Sequence, residues 1–183
     1  MELKREEIFR YNPQEFCRPY DEVIAAAPDK EPERQYYFMQ YARTLLKADF
    51  EEQMAKGAAA ARYGEEKAKE MLSQGIYGTF KINTFGCQMN AKDSEKLTAI
   101  LEVIGYQEAE GEKANLKVYG RRGQVGTLKK KDPHMLIALC GCMMQEPEVV
   151  KKLKTSYGFV DLIFGTHNIF QLAELMVRRF HQR

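Results

Sequence analysis

Short apolar segments that alternate with amphipathic helices constrain the fold of this chain more than any other feature. After residue 76, β-rich runs at Thr79–Phe85, Leu136–Cys140 and Phe159–Phe164 each precede a segment with helical character. Strands that alternate with helices form parallel βαβ units with right-handed crossovers. The sequence therefore predicts an α/β domain at residues 76–183, with a doubly wound, mainly parallel sheet of the Rossmann or flavodoxin-like kind.

The helices of this domain are indicated by residues that begin and end helices. Asn90 is a suitable N-cap for a helix at Ala91–Gly105, and Gly105 is a suitable stop. Pro147 fits the first turn of a helix at Glu148–Tyr157, and Asn168 can cap a final helix. One face of the first helix is apolar, with Leu97, Ile100, Leu101 and Ile104 at helical spacing.

Residues 1–75 have a different character and predict a polar, helical N-terminal extension. Prolines divide it into short pieces, and aromatic residues at helical spacing indicate an amphipathic helix at Glu33–Lys56. Gly57–Ala61 is a low-complexity join, and Glu65–Leu72 is a further short helix. No strand is predicted in this region.

One segment does not fit the alternation of strands and helices. A strand is required between the helix that ends at Gly105 and a helix predicted to begin near Asn115. Gln107–Lys113, however, contains no apolar run. Either two helices follow each other directly, or a strand has been lost from the sequence.

Two cysteines follow predicted strands at the points where helices begin. Cys87 lies in Thr84–Asn90, after the first β-rich run, and Cys142 follows Leu136–Cys140. The partial positive charge of a helix N-terminus favours the thiolate form of cysteine. Because the carboxyl ends of parallel strands share one edge, the pattern predicts a metal or cluster site there, with Cys87 and Cys142 as ligands. The alternative is that both are buried structural thiols.

The other two cysteines are not predicted to be ligands. Cys140 lies inside a strand and is expected to pack in the core, and Cys17 is isolated in the extension. No run of 18 apolar residues indicates a membrane span, and the charged N-terminus does not have the form of a signal peptide. We therefore expect a cytoplasmic location, where four cysteines favour metal or redox chemistry over disulfides.

Four short motifs occur along the chain in the same order as in a known family. The chain from about Tyr77 to Phe180 is similar to the N-terminal domain of the radical-SAM methylthiotransferases. The motifs that carry the resemblance are Gly86–Asn90, Lys117–Arg121, Gly141–Gln145 and Gly165–Asn168.

The resemblance implies an auxiliary [4Fe–4S] cluster held by three cysteines, with Cys87 as the first ligand and Cys142 as the third. The second ligand of the family lies in a strand-end motif, Asn-Thr-Cys followed by a hydrophobic residue and Arg, which is absent here. Its expected place is near residues 113–115, where the predicted strand is also missing. We therefore predict that about a dozen residues, enough for a short strand and its turn, are missing at this seam, through either disorder or a deletion. The chain would then hold no intact cluster.

The resemblance also implies a function for the whole enzyme. That function is methylthiolation of N6-isopentenyladenosine next to the anticodon of tRNA, using S-adenosylmethionine and a second [4Fe–4S] cluster. The implied partners are the tRNA anticodon stem-loop and the radical-SAM and TRAM domains of the same parent chain. The radical-SAM signature C-x-x-x-C-x-x-C does not occur in this sequence. We therefore expect a fragment that is inactive alone.

A local cluster of basic residues is a candidate RNA contact, with Arg121 and Arg122 at its centre. Its other members are Lys117, Lys129, Lys130 and Lys131. The glycines Gly120, Gly123 and Gly126 recur every third residue, which predicts a helix that packs closely on the sheet.

Other functions stay open. One is a flavodoxin-like binding or interaction module without metal, and another is a methylthiotransferase of the branch that modifies a ribosomal protein. A thiol redox protein is a third, although no C-x-x-C motif occurs.

Overall fold

The computed structural model describes residues 2–83, 91–110, 114–119, 126–132 and 134–182. Five parallel strands form one sheet in the order β2-β1-β3-β4-β5. This is the strand order of flavodoxin-like doubly wound sheets, so the predicted α/β class is confirmed. The strands are β1 (Gly78–Asn83), β2 (Tyr106–Glu108), β3 (Leu116–Tyr119), β4 (Leu136–Cys140) and β5 (Leu162–Phe164).

Helices surround these strands in the sequence. The α-helices of the described ranges are α1 (Arg5–Ile8), α2 (Tyr20–Ala25), α3 (Glu33–Ala55), α4 (Ala58–Tyr63), α5 (Glu65–Ser73), α6 (Ala91–Ile104), α7 (Gly126–Lys131), α8 (Pro147–Ser156) and α9 (Leu172–His181). Short 3₁₀ helices lie at Pro13–Cys17, Cys142–Gln145 and Thr166–Gln171. In the part of the chain that the structure describes, no helix has both the length and the apolarity needed to cross a membrane.

The chain folds as two compact units. The first comprises Met1–Gly78, Ala99–Gln107 and Ala173–Arg183, and the second comprises Thr79–Thr98 and Glu108–Leu172. The predicted division at residue 75 stays a prediction.

The first unit is built on α3. Its first half is buried on every side from Gln35 to Ala42, so the apolar surface is wider than the predicted stripe. Arg43 follows directly and donates from its guanidinium to the carbonyl oxygens of Gly75 and Val103, each at 3.1 Å. Within this unit, α3 therefore holds both the last turn of α6 and the segment before β1.

The second unit has its core on one face of the sheet. Tyr119, Ile137 and Leu139 form a buried cluster with Met135, Met144 and Leu153. Leu128 of α7 and Val149 of α8 pack against this cluster. Both helices therefore cover the same face of the sheet.

Several sequence predictions are confirmed closely. The strand at Leu136–Cys140 has the predicted bounds, and α6 ends at Ile104, with Gly105 at φ +115°. Pro147 stands in the first turn of α8.

Two smaller predictions are wrong. The expected low-complexity join at Gly57–Ala61 contains the start of α4. Asn168 does not cap the final helix, because it lies inside the 3₁₀ helix that precedes α9.

The largest difference concerns Leu116–Tyr119, which form a strand instead of the predicted helix. Val118 and Tyr119 are residue types that favour strands. The strand directly precedes Gly120, the first of the three recurring glycines. Gly120 and Gly123 themselves lie outside the described residues, as does Lys113 at the predicted seam. The loss of about a dozen residues there, the length of a short strand and its turn, stays a prediction.

Asn115 fixes the start of β3 between its two neighbours. Its side-chain Oδ1 accepts from the backbone N–H of Thr79 at 2.7 Å, and its own N–H donates to the Thr79 carbonyl oxygen at 3.0 Å. Its carbonyl oxygen accepts from the N–H of Leu136 at 2.8 Å. These bonds join β1, β3 and β4 at one end and set the register of all three strands.

Candidate functional site at the carboxyl edge of the sheet

The carboxyl ends of four strands lie along one edge. Asn83 of β1 is in register with Tyr119 of β3, which is in register with Leu139 of β4. One residue further along, Cys140 is in register with Phe164 of β5. In doubly wound sheets, ligands bind outside this edge.

Cys142 lies at this edge and is exposed. The backbone turns after β4, where the N–H of Gly141 donates to the Phe164 carbonyl oxygen at 3.4 Å. The N–H of Met144 then donates to the Gly141 carbonyl oxygen at 3.0 Å, within the 3₁₀ turn that begins at Cys142. The thiol of Cys142 is therefore open to solvent just beyond the end of a strand.

Cys140 is confirmed as a core residue. Its side chain is 0% exposed. Burial, with a smaller contribution from the nearby charge of Asp93, raises the pKa of its thiol to about 12. Because the side chain is enclosed in the core, we interpret Cys140 as a structural thiol and not as a ligand.

The effect of Asp93 also locates the start of α6. Asp93 stands in the first turn of this helix, and its charge acts on Cys140 at the end of β4. The first turn of α6 therefore lies near the carboxyl edge of the sheet. Cys87 itself lies outside the described residues, between the end of β1 and the start of α6.

Within the described ranges, no group of three His, Cys, Asp or Glu side chains is suitable for a metal ion. His167 is exposed in the 3₁₀ helix before α9. The roles of Cys87 and Cys142 as ligands stay predictions.

The predicted basic cluster is only partly a surface feature. Lys117 is 2% exposed, in the middle of β3. The ammonium of Lys129 lies 2.7 Å from a carboxylate oxygen of Asp161 and also donates to the Met135 carbonyl oxygen. Lys130 and Lys131 are exposed on α7, while Arg121 and Arg122 lie outside the described residues.

Asp161 is a structural residue that the sequence analysis missed. Its side chain is only 2% exposed, and Oδ2 accepts from both the Lys129 ammonium and the backbone N–H of Ile137. In the sequence, Asp161 lies inside the strand predicted at Phe159–Phe164, which instead begins at Leu162. No local signal indicated the contact, because Lys129 lies 32 residues away in the chain.

We expect the thiols of the native chain to react at very different rates with iodoacetamide. Cys17 and Cys142 are exposed and should be alkylated within minutes at pH 8, whereas the buried Cys140 should react only after denaturation. Mass spectrometry of peptides after timed labelling measures each site. Rapid alkylation of Cys140 in the folded chain would contradict its placement in the core.

Comparison with known proteins gives one family. Residues 79–121 match the model of the family described as Uncharacterized protein family UPF0004. No solved structure matches the chain.

Three relatives share the printed name tRNA-2-methylthio-N(6)-dimethylallyladenosine synthase. The protein of Lachnoclostridium phytofermentans is 61% identical over 115 residues, which cover 55% of this chain and 25% of the relative. The protein of Acetivibrio thermocellus is 48% identical over 110 residues, which cover 52% of this chain and 23% of the relative. The protein of Staphylococcus aureus is 38% identical over 172 residues, which cover 84% of this chain and 33% of the relative. The chain thus spans between about a quarter and a third of the length of these relatives.

The first two matches are longer than the stretches of this chain that they cover. The first match has 115 aligned positions, whereas 55% of the 183 residues is only about a hundred residues. The second match shows the same difference. The relatives therefore have residues within the matched region that have no counterpart in this chain.

Proposed function

Because the chain carries a UPF0004 domain and is related to the tRNA-2-methylthio-N(6)-dimethylallyladenosine synthases, we propose that its α/β part is the auxiliary-cluster domain of a tRNA methylthiotransferase. In the whole enzyme, this domain acts beside a radical-SAM core and a TRAM domain in the cytoplasm. The substrate is N6-isopentenyladenosine next to the anticodon, in a tRNA anticodon stem-loop.

The observation that supports this proposal best is the position of Cys142. It is an exposed thiol at the carboxyl edge of a parallel sheet, just beyond the end of β4. Cys87 follows Asn83, at the same edge, by four residues, which span at most about 14 Å of extended chain. In the intact domain, we assign both cysteines as thiolate ligands of a [4Fe–4S] cluster, since thiolates suit iron–sulfur clusters.

The residues of this chain do not fit that cluster completely. Three thiolates are needed, and the second unit contains Cys87, Cys140 and Cys142, of which Cys140 is fully buried in the core. Cys17 is exposed in the first unit, on the 3₁₀ helix at Pro13–Cys17. We therefore propose that this chain, as its sequence stands, holds no intact cluster and does not methylthiolate RNA alone.

The missing ligand is explained by the predicted loss near residues 113–115. The unmatched residues of the relatives support this loss, because they show that the matched region is shorter here. Lys117 supports it too, since an ammonium that is 2% exposed in a central strand is unusual for a segment selected as a strand. We infer that Leu116–Tyr119 belonged to the segment after the lost strand and now occupy its place.

Restoring the lost segment tests the proposal. The corresponding stretch of the Lachnoclostridium phytofermentans relative is inserted at the seam near residues 113–115 to restore the Asn-Thr-Cys motif, and the chain is reconstituted anaerobically with iron and sulfide. We expect about four irons per chain and a brown absorbance in the restored chain, and little iron in the present chain.

Single substitutions in the restored chain assign the ligands. Cys87→Ala and Cys142→Ala should each remove most of the bound iron, while Cys17→Ala and Cys140→Ala serve as matched controls and should retain it. Equal iron in the Cys142→Ala variant and its parent would disprove the ligand assignment. If the restored chain bound no iron, the metal-free interaction module would be the better description.

A further inference from the structure

A lysine-rich surface on α7 and α8 is the feature that the cluster proposal does not use. Exposed lysines follow one another in the second half of α8, at Lys151, Lys152 and Lys154, and Lys130 and Lys131 end α7. We call these five residues the lysine surface.

The two helices present these lysines on the same side of the second unit. Leu128 of α7 and Val149 and Leu153 of α8 pack on one cluster that covers one face of the sheet. The side chains that point away from this cluster therefore share the outer side of the two helices. Lys152 directly precedes the buried Leu153, and Lys130 and Lys131 come two and three residues after Leu128.

The lysine surface differs in its ion pairing from some of the exposed lysines elsewhere in the chain. Lys47 of α3 pairs with Glu51, and Lys69 of α5 pairs with Glu65, in each case one helical turn away. Among the residues that the structure describes, the five ammonium groups of the lysine surface have no ion-pair partner. The acidic residues of the neighbourhood are Asp132, Glu146 and Glu148 at helix ends and the buried Asp161, which is engaged by Lys129.

We propose that the lysine surface binds the phosphate backbone of RNA, and this proposal rests on the function proposed above. Unpaired lysines on adjacent helices are suited to successive phosphates, because each neutralised phosphate releases a condensed counterion and no particular base is needed. The proposal moves the RNA contact from Lys117 and Lys129, which are buried or engaged, to α7 and α8. It makes α8, which carried no RNA prediction from the sequence, the main element of the contact.

The test measures binding of the whole chain to a fluorescein-labelled, unmodified tRNA transcript at several salt concentrations. The variant replaces four lysines of the surface: Lys130→Gln, Lys131→Gln, Lys151→Gln and Lys152→Gln. We expect binding to weaken about tenfold or more at low salt. The slope of log K against log salt should become shallower by about 0.7–0.9 for each phosphate that the variant no longer neutralises.

The matched control removes the same number of positive charges from the first unit, with Lys47→Gln, Lys56→Gln, Lys67→Gln and Lys69→Gln. All four lysines are exposed or partly exposed, so the control keeps the net charge of the test variant. At 0.1 M salt we expect it to bind RNA within about twofold of the parent chain, with an unchanged salt slope, because the proposal confines the phosphate contacts to the lysine surface.

Three results would overturn the proposal: an unchanged affinity of the test variant, an equal reduction in the control, or no RNA binding by the parent chain. Binding to phosphatidylserine vesicles in place of RNA would also overturn it, since it would assign the surface to an acidic membrane. These results are independent of iron binding. If the restored chain takes up iron but the lysine variant keeps its RNA affinity, only the RNA proposal is refuted. If the restored chain takes up no iron but the lysine variant loses RNA affinity, only the cluster proposal is refuted.

Discussion

Replacement of Asp161 by alanine is expected to lower the free energy of unfolding by about 3–5 kcal/mol, the usual effect of removing one member of a buried ion pair. The carboxylate is 2% exposed and accepts from the Lys129 ammonium at 2.7 Å and from the Ile137 N–H at 2.9 Å. Its removal leaves a largely buried ammonium and a buried backbone donor without this acceptor. Urea unfolding followed by circular dichroism measures the difference.

A double-mutant cycle separates the ion pair from the backbone bond. Asp161→Asn keeps an oxygen that can accept from Ile137, and Lys129→Met removes the ammonium while keeping the length of the side chain. We expect each single variant to be clearly destabilised. The loss of unfolding free energy in the double variant should be smaller than the sum of the losses in the two single variants, because the double variant leaves no unpaired charge. Additive destabilisation would show that the two side chains do not act as a pair.

This ion pair illustrates what could be predicted from the sequence. The strand at Leu136–Cys140, the end of α6 and the start of α8 follow from local apolar patterns and from Gly105 and Pro147, which act within a few residues. The contact between Lys129 and Asp161 joins α7 to the start of β5 across 32 residues. Nothing local marks it, so Lys129 was interpreted as part of a surface cluster.

The prediction for β3 was wrong for a different reason. A short segment with a lysine at its centre has neither an apolar run nor strict alternation, and its glycine-rich continuation indicated a helix. The place of this segment in the sheet makes it a strand. Asn115 forms hydrogen bonds with Thr79 and Leu136, and these bonds bring Leu116–Tyr119 between two well-formed strands. Tertiary context of this kind overrides local propensity, particularly for strands.

The candidate site was predicted in part. The rule that parallel strands end at one edge placed Cys142 there, and the apolar run around Cys140 predicted its burial. The sequence analysis did not identify Asp93 as a neighbour of Cys140, because that relation depends on how the first turn of α6 meets the end of β4. The ligand roles of Cys87 and Cys142 depend on a bound cluster, and the reconstitution experiment decides them.

Arg43 is the residue whose replacement should have the largest effect in the first unit. Its guanidinium donates to the carbonyl oxygens of Val103, in the last turn of α6, and of Gly75. It also lies over the rings of Phe9 and Tyr77, 5.6 and 5.1 Å from their centroids. Because hydrogen bonds from a charged group contribute about 1.5–3 kcal/mol each, we expect Arg43→Ala to lower the free energy of unfolding by about 2–4 kcal/mol.

Two further variants give this prediction its control. Lys47→Ala lies one turn later on α3 and removes an exposed ion pair with Glu51, so we expect a change of less than about 1 kcal/mol. Arg43→Lys keeps the charge but cannot donate to two carbonyl oxygens in the fixed geometry of a guanidinium, so it should recover only part of the stability. Full recovery by lysine would mean that charge alone stabilises the unit. Partial recovery would instead show that the fixed donor geometry of the guanidinium also stabilises the unit.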